Sequence, residues 1–517
     1  MSIFNYGIDS MTVTKALQIA QGQIKGQLSK EAIVKINKSE SDVQSIVDGQ
    51  STVYGINTGF GPLCNVKISP EDTKELQYNI LKSHSVGVGK PIKKETAKLM
   101  MILKVHSLAQ GYSGIQLSTI ERICWHIDQD IIPVVPEKGS VGASGDLAPL
   151  AHLFLPLIGL GELIINHQRI ATSDYFQERN ILPIELGPKE GLALINGTQF
   201  IAAHAIQVVD KLHNCLDHAD IIGSMMLEAL AGSVKPFQAQ LHKIRAFAGN
   251  QWVARRISKM LKGSAILESH INCDRVQDPY SLRCMPQVHG SSRNAWLHLK
   301  ELVEIELNSV TDNPIILSAD ETISGGNFHG QPLALPLDYA ALAAAELGNI
   351  SDRRIYLALE GKIEGLPTLL MRNTGINSGF MLPQYTSAAL VSENKSLCFP
   401  ASADSVPTSM GQEDHVSMGS ISGRKALQII DNLEQILAIE LLCAAQAFDF
   451  RRPLKSSESL EKCHEHVRSQ IDHATEDRIF ADDIAKAFHI IDSRKLTDIV
   501  NAEVQFDSEL AQLFNQF

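Results

Sequence analysis

Ala426-Leu427-Gln428-Ile429-Ile430-Asp431-Asn432-Leu433-Glu434-Gln435-Ile436-Leu437-Ala438-Ile439-Glu440-Leu441-Leu442-Cys443-Ala444 is the stretch from which the fold class follows. Ala426, Ile430, Leu433, Leu437, Leu441 and Ala444 recur at spacings of three and four, which draws one apolar stripe along a helix. A second long run, Pro336 to Glu360, is so rich in alanine that close helix–helix packing is expected, with Pro336 placed in the first helical turn. A third begins at Glu190 and continues to about Ala231. Towards the N-terminus the pattern becomes mixed. A short strand (Met11 to Val13) and two modest helices are followed by helices at about 70–82, 95–110 and 114–128. A hairpin then pairs Leu163–Ile165 with Arg169–Thr172 across an Asn166-His167 turn. No repeat of 20–50 residues and no low-complexity linker interrupts the chain. The expectation is a mainly α protein. A long central helical bundle and C-terminal helices (196–517) would join a smaller mixed α/β N-terminal domain (1–195), and the bundle would pair with copies of itself.

Composition narrows the function classes. The 517 residues carry a formal charge of −12 and no basic run, which argues against nucleic acid. Eight scattered cysteines, at 64, 124, 215, 273, 284, 398, 443 and 463, form no CxxC pair, so the expectation is a reduced, cytoplasmic protein. The first fifteen residues lack a basic start followed by an apolar core. The most apolar window, Leu147 to Ile165, contains Pro149, His152, Pro156 and Glu162 and suits a buried core segment better than a membrane span. Gly87-Val88-Gly89-Lys90 lacks the spacing and the hydroxyl residue of a phosphate loop. Cys463-His464-Glu465-His466 is spaced for a solvated helix, so no metal site is expected.

The chemistry centres on Gly139-Ser140-Val141-Gly142-Ala143-Ser144-Gly145-Asp146-Leu147. Glycine permits φ > 0 and close self-approach, so this segment can bend until the Gly145 nitrogen meets the Ala143 carbonyl carbon. Closure there with loss of two waters makes an electrophilic methylidene-imidazolone. The alternative for such a composition is an ordinary glycine-rich turn. Three further segments carry reactive or binding groups. Val53 to Pro62 is a glycine-rich loop holding Tyr54. Asn196-Gly197-Thr198 begins a helix, where asparagine is a natural cap. Gln277-Asp278-Pro279-Tyr280-Ser281-Leu282-Arg283-Cys284 offers a guanidinium fork that matches a carboxylate.

Read as wording, GSVGASGDLAPLAH resembles the cofactor-forming motif of the aromatic amino acid ammonia-lyases and aminomutases. GLALINGTQ, QDPYSLRC and Gly325-Gly326-Asn327-Phe328-His329 resemble other segments of that family, over about residues 50 to 450. The resemblance implies a 4-methylidene-imidazol-5-one formed autocatalytically from Ala143, Ser144 and Gly145, with no external cofactor. It also implies a homotetramer whose sites are each assembled from three subunits. Tyr54 would be the catalytic base, and Gln277 and Tyr280 would lie near the electrophile. Arg283 would bind the substrate carboxylate, Asn196 would face the substrate, and Phe328 would pack against the ring.

For substrate, Ser83-His84 is the pair shown by histidine-specific members, whereas phenylalanine-specific members carry Phe-Leu and many tyrosine-specific ones His-Leu. Glu413, in Gln412-Glu413, can accept a hydrogen bond from an imidazole N–H, which a phenyl ring does not offer. Both positions favour histidine, eliminated to trans-urocanate and ammonia. Met285 and His289 depart from the pattern of histidine-specific members, and some tyrosine-specific relatives keep a Ser-His pair, so a tyrosine or phenylalanine lyase or an aminomutase is the alternative on the same scaffold. A catalytically silent helical binding protein is the alternative from another class. The GSSxMPxKxN signature of fumarase-type lyases is absent.

Overall fold

The computed structural model describes residues 2–49, 52–63, 65, 68–166, 168–271, 275–506 and 509–515. Cys64, Cys273 and His167 of the expected turn lie outside these residues. The chain divides into two compact units, Met1–Gln207 with Lys300–Asp338 and Pro400–Arg424, and Val208–Leu299 with Tyr339–Phe399 and Lys425–Phe517. The architecture is mainly helical, as the stripes predict, and four helices exceed twenty residues: Gln199–Ala229, Met285–Leu307, Gln331–Leu359 and Gly419–Asp449.

Every strand among the described residues belongs to the first unit. Strands Glu162–Ile165 and Gln168–Ala171 form the expected hairpin, with Leu163 opposite Ile170, and Ile132–Pro133 adds a third strand. Asn166 enters the turn at φ 48°, a conformation asparagine tolerates better than most residues. Ile131, Leu163, Tyr175 and Phe176 form the small core beneath it. The strand expected at Met11–Val13 is replaced by a helix, Val13–Ala20. Thr12 adopts extended backbone and its hydroxyl accepts from the Lys15 N–H, so the residue read as strand is the cap that starts the helix. The parallel pair Ser2–Asn5 with Ile24–Gln27 flanks that helix in sequence. Helix Lys94–Leu108 is buried on all sides from Leu99 to Leu108, and that buried stretch includes Lys104. Helix Leu147–Phe154 and the tight turn Leu155–Ile158 are almost wholly buried, as expected of the apolar window.

The described residues of the second unit form helices and connecting loops. The stripe of the Gly419–Asp449 helix is buried, and so are Ile429, Ile436, Ala438, Ile439, Leu442 and Cys443 between its members. Gln428 and Asp431 keep a polar face in the first half of the helix. Every residue from Ile436 to Phe448 is buried, so the later half sits inside a bundle rather than on its surface. Ala340, Ala341, Ala343, Ala344 and Ala345 are buried, as close packing requires, and a Cβ at Gly348 would stand 3.1 Å from Ile436 Cδ1. Pro336 lies inside its helix rather than in the first turn, where Pro332 stands instead. So near the helix start, the missing N–H forfeits only one hydrogen bond, to the Pro332 carbonyl.

Buried ion pairs run through this unit. Arg293 reaches Asp217 (2.9 Å) and Asp220 (2.6 Å), Arg256 lies 3.4 and 3.3 Å from the same carboxylates, and Arg354 holds Glu440 (3.0 Å). His289 links the two groups, its Nδ1 2.8 Å from Asp220 and its Nε2 3.3 Å from Arg354. Burial lowers the His289 pKa, which keeps the ring neutral while three carboxylates balance three guanidiniums. The two departures noted in the sequence are thereby explained: His289 completes this network, and Met285 fills the space above Gly223, where a Cβ would meet its Sδ at 2.7 Å.

Cys463 and His464 face the core rather than solvent, and His464 pairs with Asp449 at 2.8 Å, which corrects the solvated-helix expectation for that half of the segment. The described cysteines are all free. No helix among the described residues is long and apolar enough to cross a membrane.

Candidate active site

In the first unit a cavity of about 1040 Å³ gathers residues far apart in sequence. Tyr54, Ser83, His84, Ala143, Ser144 and Asn196 line it, together with Phe328 and Glu413. Gly145 follows the lining residues Ala143 and Ser144 in sequence. Its φ of 75° is a left-handed value that suits glycine, and a Cβ there would stand 2.1 Å from the Gly197 carbonyl oxygen. The backbones of Gly145 and Gly197 pair as an isolated parallel bridge, with Asp146 N donating to Gly197 O at 2.7 Å. Gly142, at φ 69°, leaves room for Ser417 in the same way.

The loop is anchored from below. Asp146 is completely buried at the start of helix Gln199–Ala229, and its Oδ2 accepts from Phe200 N (3.1 Å) and Ile201 N (3.0 Å) while Oδ1 accepts from Ser140 Oγ (3.1 Å). Burial pushes its carboxyl up to about 7, although those donors favour the charged form. Asn196 ends helix Glu190–Ile195, and its amide donates to the Ser144 carbonyl at 2.7 Å. The Asn196 carbonyl accepts from Lys104 Nζ at 2.6 Å, and burial brings that ammonium down to about 7.

On the cavity wall, Ser144 Oγ donates to Glu413 Oε1 at 2.6 Å. Thr408 Oγ1 and Ser409 Oγ each donate to Glu413 Oε2 at 2.8 Å. Burial by itself would raise the Glu413 carboxyl, but the three hydroxyls and nearby His84 outweigh it and hold the group below the usual carboxylate range. Burial lowers the His84 pKa, and its Nδ1 lies 3.0 Å from Ser83 Oγ. The Tyr54 hydroxyl oxygen accepts from Gly61 N at 3.2 Å, and the Gly61–Leu63 turn packs against the Ser409–Gly411 turn. The sequence reading gave Glu413 an imidazole N–H as its partner. The structure puts its carboxylate beside Ser144.

Gln277, Tyr280 and Arg283 belong to the second unit, whereas the cavity lining comes from the first. Gln277 and Tyr280 are exposed, and the Arg283 guanidinium lies 4.6 Å from the centre of the Tyr280 ring. Sequence reasoning missed Thr408, Ser409, Lys104 and the cavity-lining His329 and His415. The Lys104 signal was available, as a single charge in the otherwise apolar run LMMILKV.

The model of the aromatic amino acid lyase family matches residues 11–469 of the chain. A histidine ammonia-lyase of Myxococcus xanthus is 44% identical over 495 residues, covering 96% of this chain and 97% of that protein. The crystal structure of histidine ammonia-lyase from Trypanosoma cruzi superposes with a TM-score of 0.91 at 39% identity, over 99% of this chain and 98% of that one. A tyrosine aminomutase from Streptomyces globisporus superposes with a TM-score of 0.92 at 32% identity, over 98% of this chain and all of the other.

Proposed function

The chain belongs to the aromatic amino acid lyase family, and from that premise we propose that it eliminates ammonia from L-histidine to give trans-urocanate. The observation that carries the reading is the Ser144–Glu413 contact inside a cavity that also holds Tyr54, Ser83, His84 and Asn196. The loop fits ring formation. Ala143 and Ser144 add little side-chain bulk, Gly142 and Gly145 take left-handed φ, and the Asn196 amide holds the Ser144 carbonyl, which suits a backbone turned back on itself. Closure joins these two atoms. One water takes the Ala143 oxygen with the Ser144 and Gly145 N–H protons, and a second takes the Ser144 hydroxyl with its Cα proton. The resulting 4-methylidene-imidazol-5-one would supply an electrophilic carbon that makes ammonia a better leaving group.

The chain's own residues do the rest. Tyr54, on a loop turned back on itself through Gly61, takes the β-proton as base. Asn196 orients the Ser144 carbonyl. Glu413, ionised, accepts a substrate N–H, and neutral His84 with Ser83 offers a polar wall to an imidazole. A phenyl ring would leave that carboxylate desolvated and unpaired. Phe328 gives the cavity an apolar surface.

Arg283 takes the substrate carboxylate with Tyr280 and Gln277 beside it, supplied by another copy of the chain in a homotetramer. The exposed apolar side chains Tyr339, Leu342, Tyr356, Leu382, Tyr385 and Phe399 support such assembly, since a lone chain would leave them wet.

The test is kcat/KM for histidine, tyrosine and phenylalanine, followed through the ultraviolet absorbance of the conjugated acid. Wild type turns over histidine with little or no phenylalanine. Glu413→Gln exchanges a charged acceptor for a neutral one and lowers histidine turnover by roughly fivefold to thirtyfold. Preference for tyrosine, or an unchanged Glu413→Gln variant, defeats the histidine assignment.

A further inference from the structure

We propose that Thr408 and Ser409 are positioning residues, a hydroxyl clamp that fixes one oxygen of Glu413 so that the other passes from the Ser144 hydroxyl to the substrate when the ring forms. The inference rests on the ring and on the role given to Glu413 above. Before cyclisation the carboxylate is divided cleanly, with Oε1 taking Ser144 Oγ and Oε2 taking the two clamp hydroxyls. Ring formation expels the Ser144 hydroxyl as water, so the donor on Oε1 is removed by the reaction that creates the electrophile. Oε1 is then an open acceptor beside the reacting carbon, while Oε2 stays held. A carboxylate with one oxygen fixed has less freedom to lose on binding a substrate N–H.

The turn that carries the clamp is costly in itself. Ser409, Met410 and Gly411 have φ of 49°, 56° and 86°, three successive left-handed residues of which two are not glycine. Met410 is 92% exposed, so the strain does not serve to bury it. The turn does return the chain to pair Thr408 with Glu413, Thr408 N donating to Glu413 O at 2.9 Å, and it brings the Ser409 hydroxyl onto Oε2. The cavity wall around Glu413 also carries His84 from the helix Pro70–His84, Tyr54 from its loop, His329, and Asp414 and His415 from its own segment. Once the Ser144 hydroxyl has left, the clamp supplies the remaining hydroxyl donors that hold the carboxyl low against its burial.

Thr408→Val, Ser409→Ala, the double variant and the hydroxyl-preserving Thr408→Ser are compared with Glu413→Gln. Intact mass establishes that each has lost both waters. The pH profile of kcat/KM for histidine is then measured, together with calorimetric binding of imidazole-4-propionate, which has the imidazole and carboxylate but no amine. The double variant is expected to lose about tenfold in kcat/KM and to bind the analogue more weakly. Removing the donors raises the Glu413 pKa, so the acidic limb of the kcat/KM profile moves to higher pH. Thr408→Ser keeps wild-type values, and the single variants carry the comparison if the double variant does not assemble. An acidic limb that stays in place, whether or not turnover falls, overturns the clamp while Glu413→Gln remains impaired. A silent Glu413→Gln instead removes the role of Glu413, and the clamp with it.

Discussion

Gly142 and Gly145 are both left-handed and both crowded, yet alanine at each should behave differently because the obstacles differ. At Gly145 a Cβ would meet only backbone, at 2.1 Å from Gly197 O, 2.5 Å from its carbon and 2.9 Å from its nitrogen. No side chain can rotate away. The left-handed conformation costs an L-residue about 1–2 kcal/mol, and relieving the overlap needs a backbone displacement of roughly 1 Å. That displacement breaks the 2.7 Å bond from Asp146 N to Gly197 O and disturbs the Asp146 cap. A misplacement of about 1 Å costs a positioned reaction on the order of a hundredfold. At Gly142 the nearest atom is Ser417 Oγ, also at 2.1 Å, while Ser417 Cβ stands at 3.4 Å. Removing that one oxygen clears the overlap and leaves only the conformational strain. Intact mass after expression measures the fraction of chains lacking two waters. Gly145→Ala should retain both in most chains. Gly142→Ala should be impaired too, with ring formation largely restored by Ser417→Ala. A Gly145→Ala chain that loses both waters as wild type does, or a Gly142→Ala chain that Ser417→Ala does not help, would refute the reasoning.

The buried pair of the second unit predicts a large, recoverable loss. Arg354→Met leaves Glu440 charged and desolvated and should destabilise by about 3–5 kcal/mol, while adding Glu440→Leu should recover most of it. Equal thermal midpoints for the single and double variants would count against the pair. Asp146 predicts a pH effect. Burial raises its folded pKa to about 7, whereas the unfolded chain titrates near ~3.9, so the folded state holds the extra proton between those values. Its stabilising contribution is complete below about pH 4 and is lost as pH rises through about 7. Asp146→Asn cannot ionise, so wild-type stability should fall relative to the variant across that range, and parallel curves of thermal midpoint against pH would exclude the effect.

Much of the candidate site was legible because its motifs are short and contiguous. Ala143-Ser144-Gly145, Asn196-Gly197, Ser83-His84 and Gln412-Glu413 can each be recognised within a few residues, and the structure brings a member of each to one cavity wall. The helices were legible for a similar reason. A 3.6-residue period relates neighbours three and four apart, so the stripe from Ala426 to Ala444 needs no tertiary information. Local rules misread Met11–Val13, where a hydroxyl cap outweighed strand propensity, and the place of Pro336, since Pro332 already occupied the first turn.

Sequence by itself determined the helical class, and it supplied Ala143-Ser144-Gly145 as the proposed electrophile and Ser83, His84 and Glu413 as the proposed imidazole partners. Tertiary structure decided which of these meet, because Ser144 and Glu413 are 269 positions apart and no local period relates them. It also decided that Thr408 and Ser409 grip Glu413, since the left-handed turn that aims them has a backbone course unlike that of a helix or strand. Met285 and His289 looked like changes bearing on substrate. Their surroundings, Gly223, Asp220 and Arg354, make them parts of a packed and charge-balanced interior, because in a dense bundle each side chain is fitted to atoms contributed by other helices.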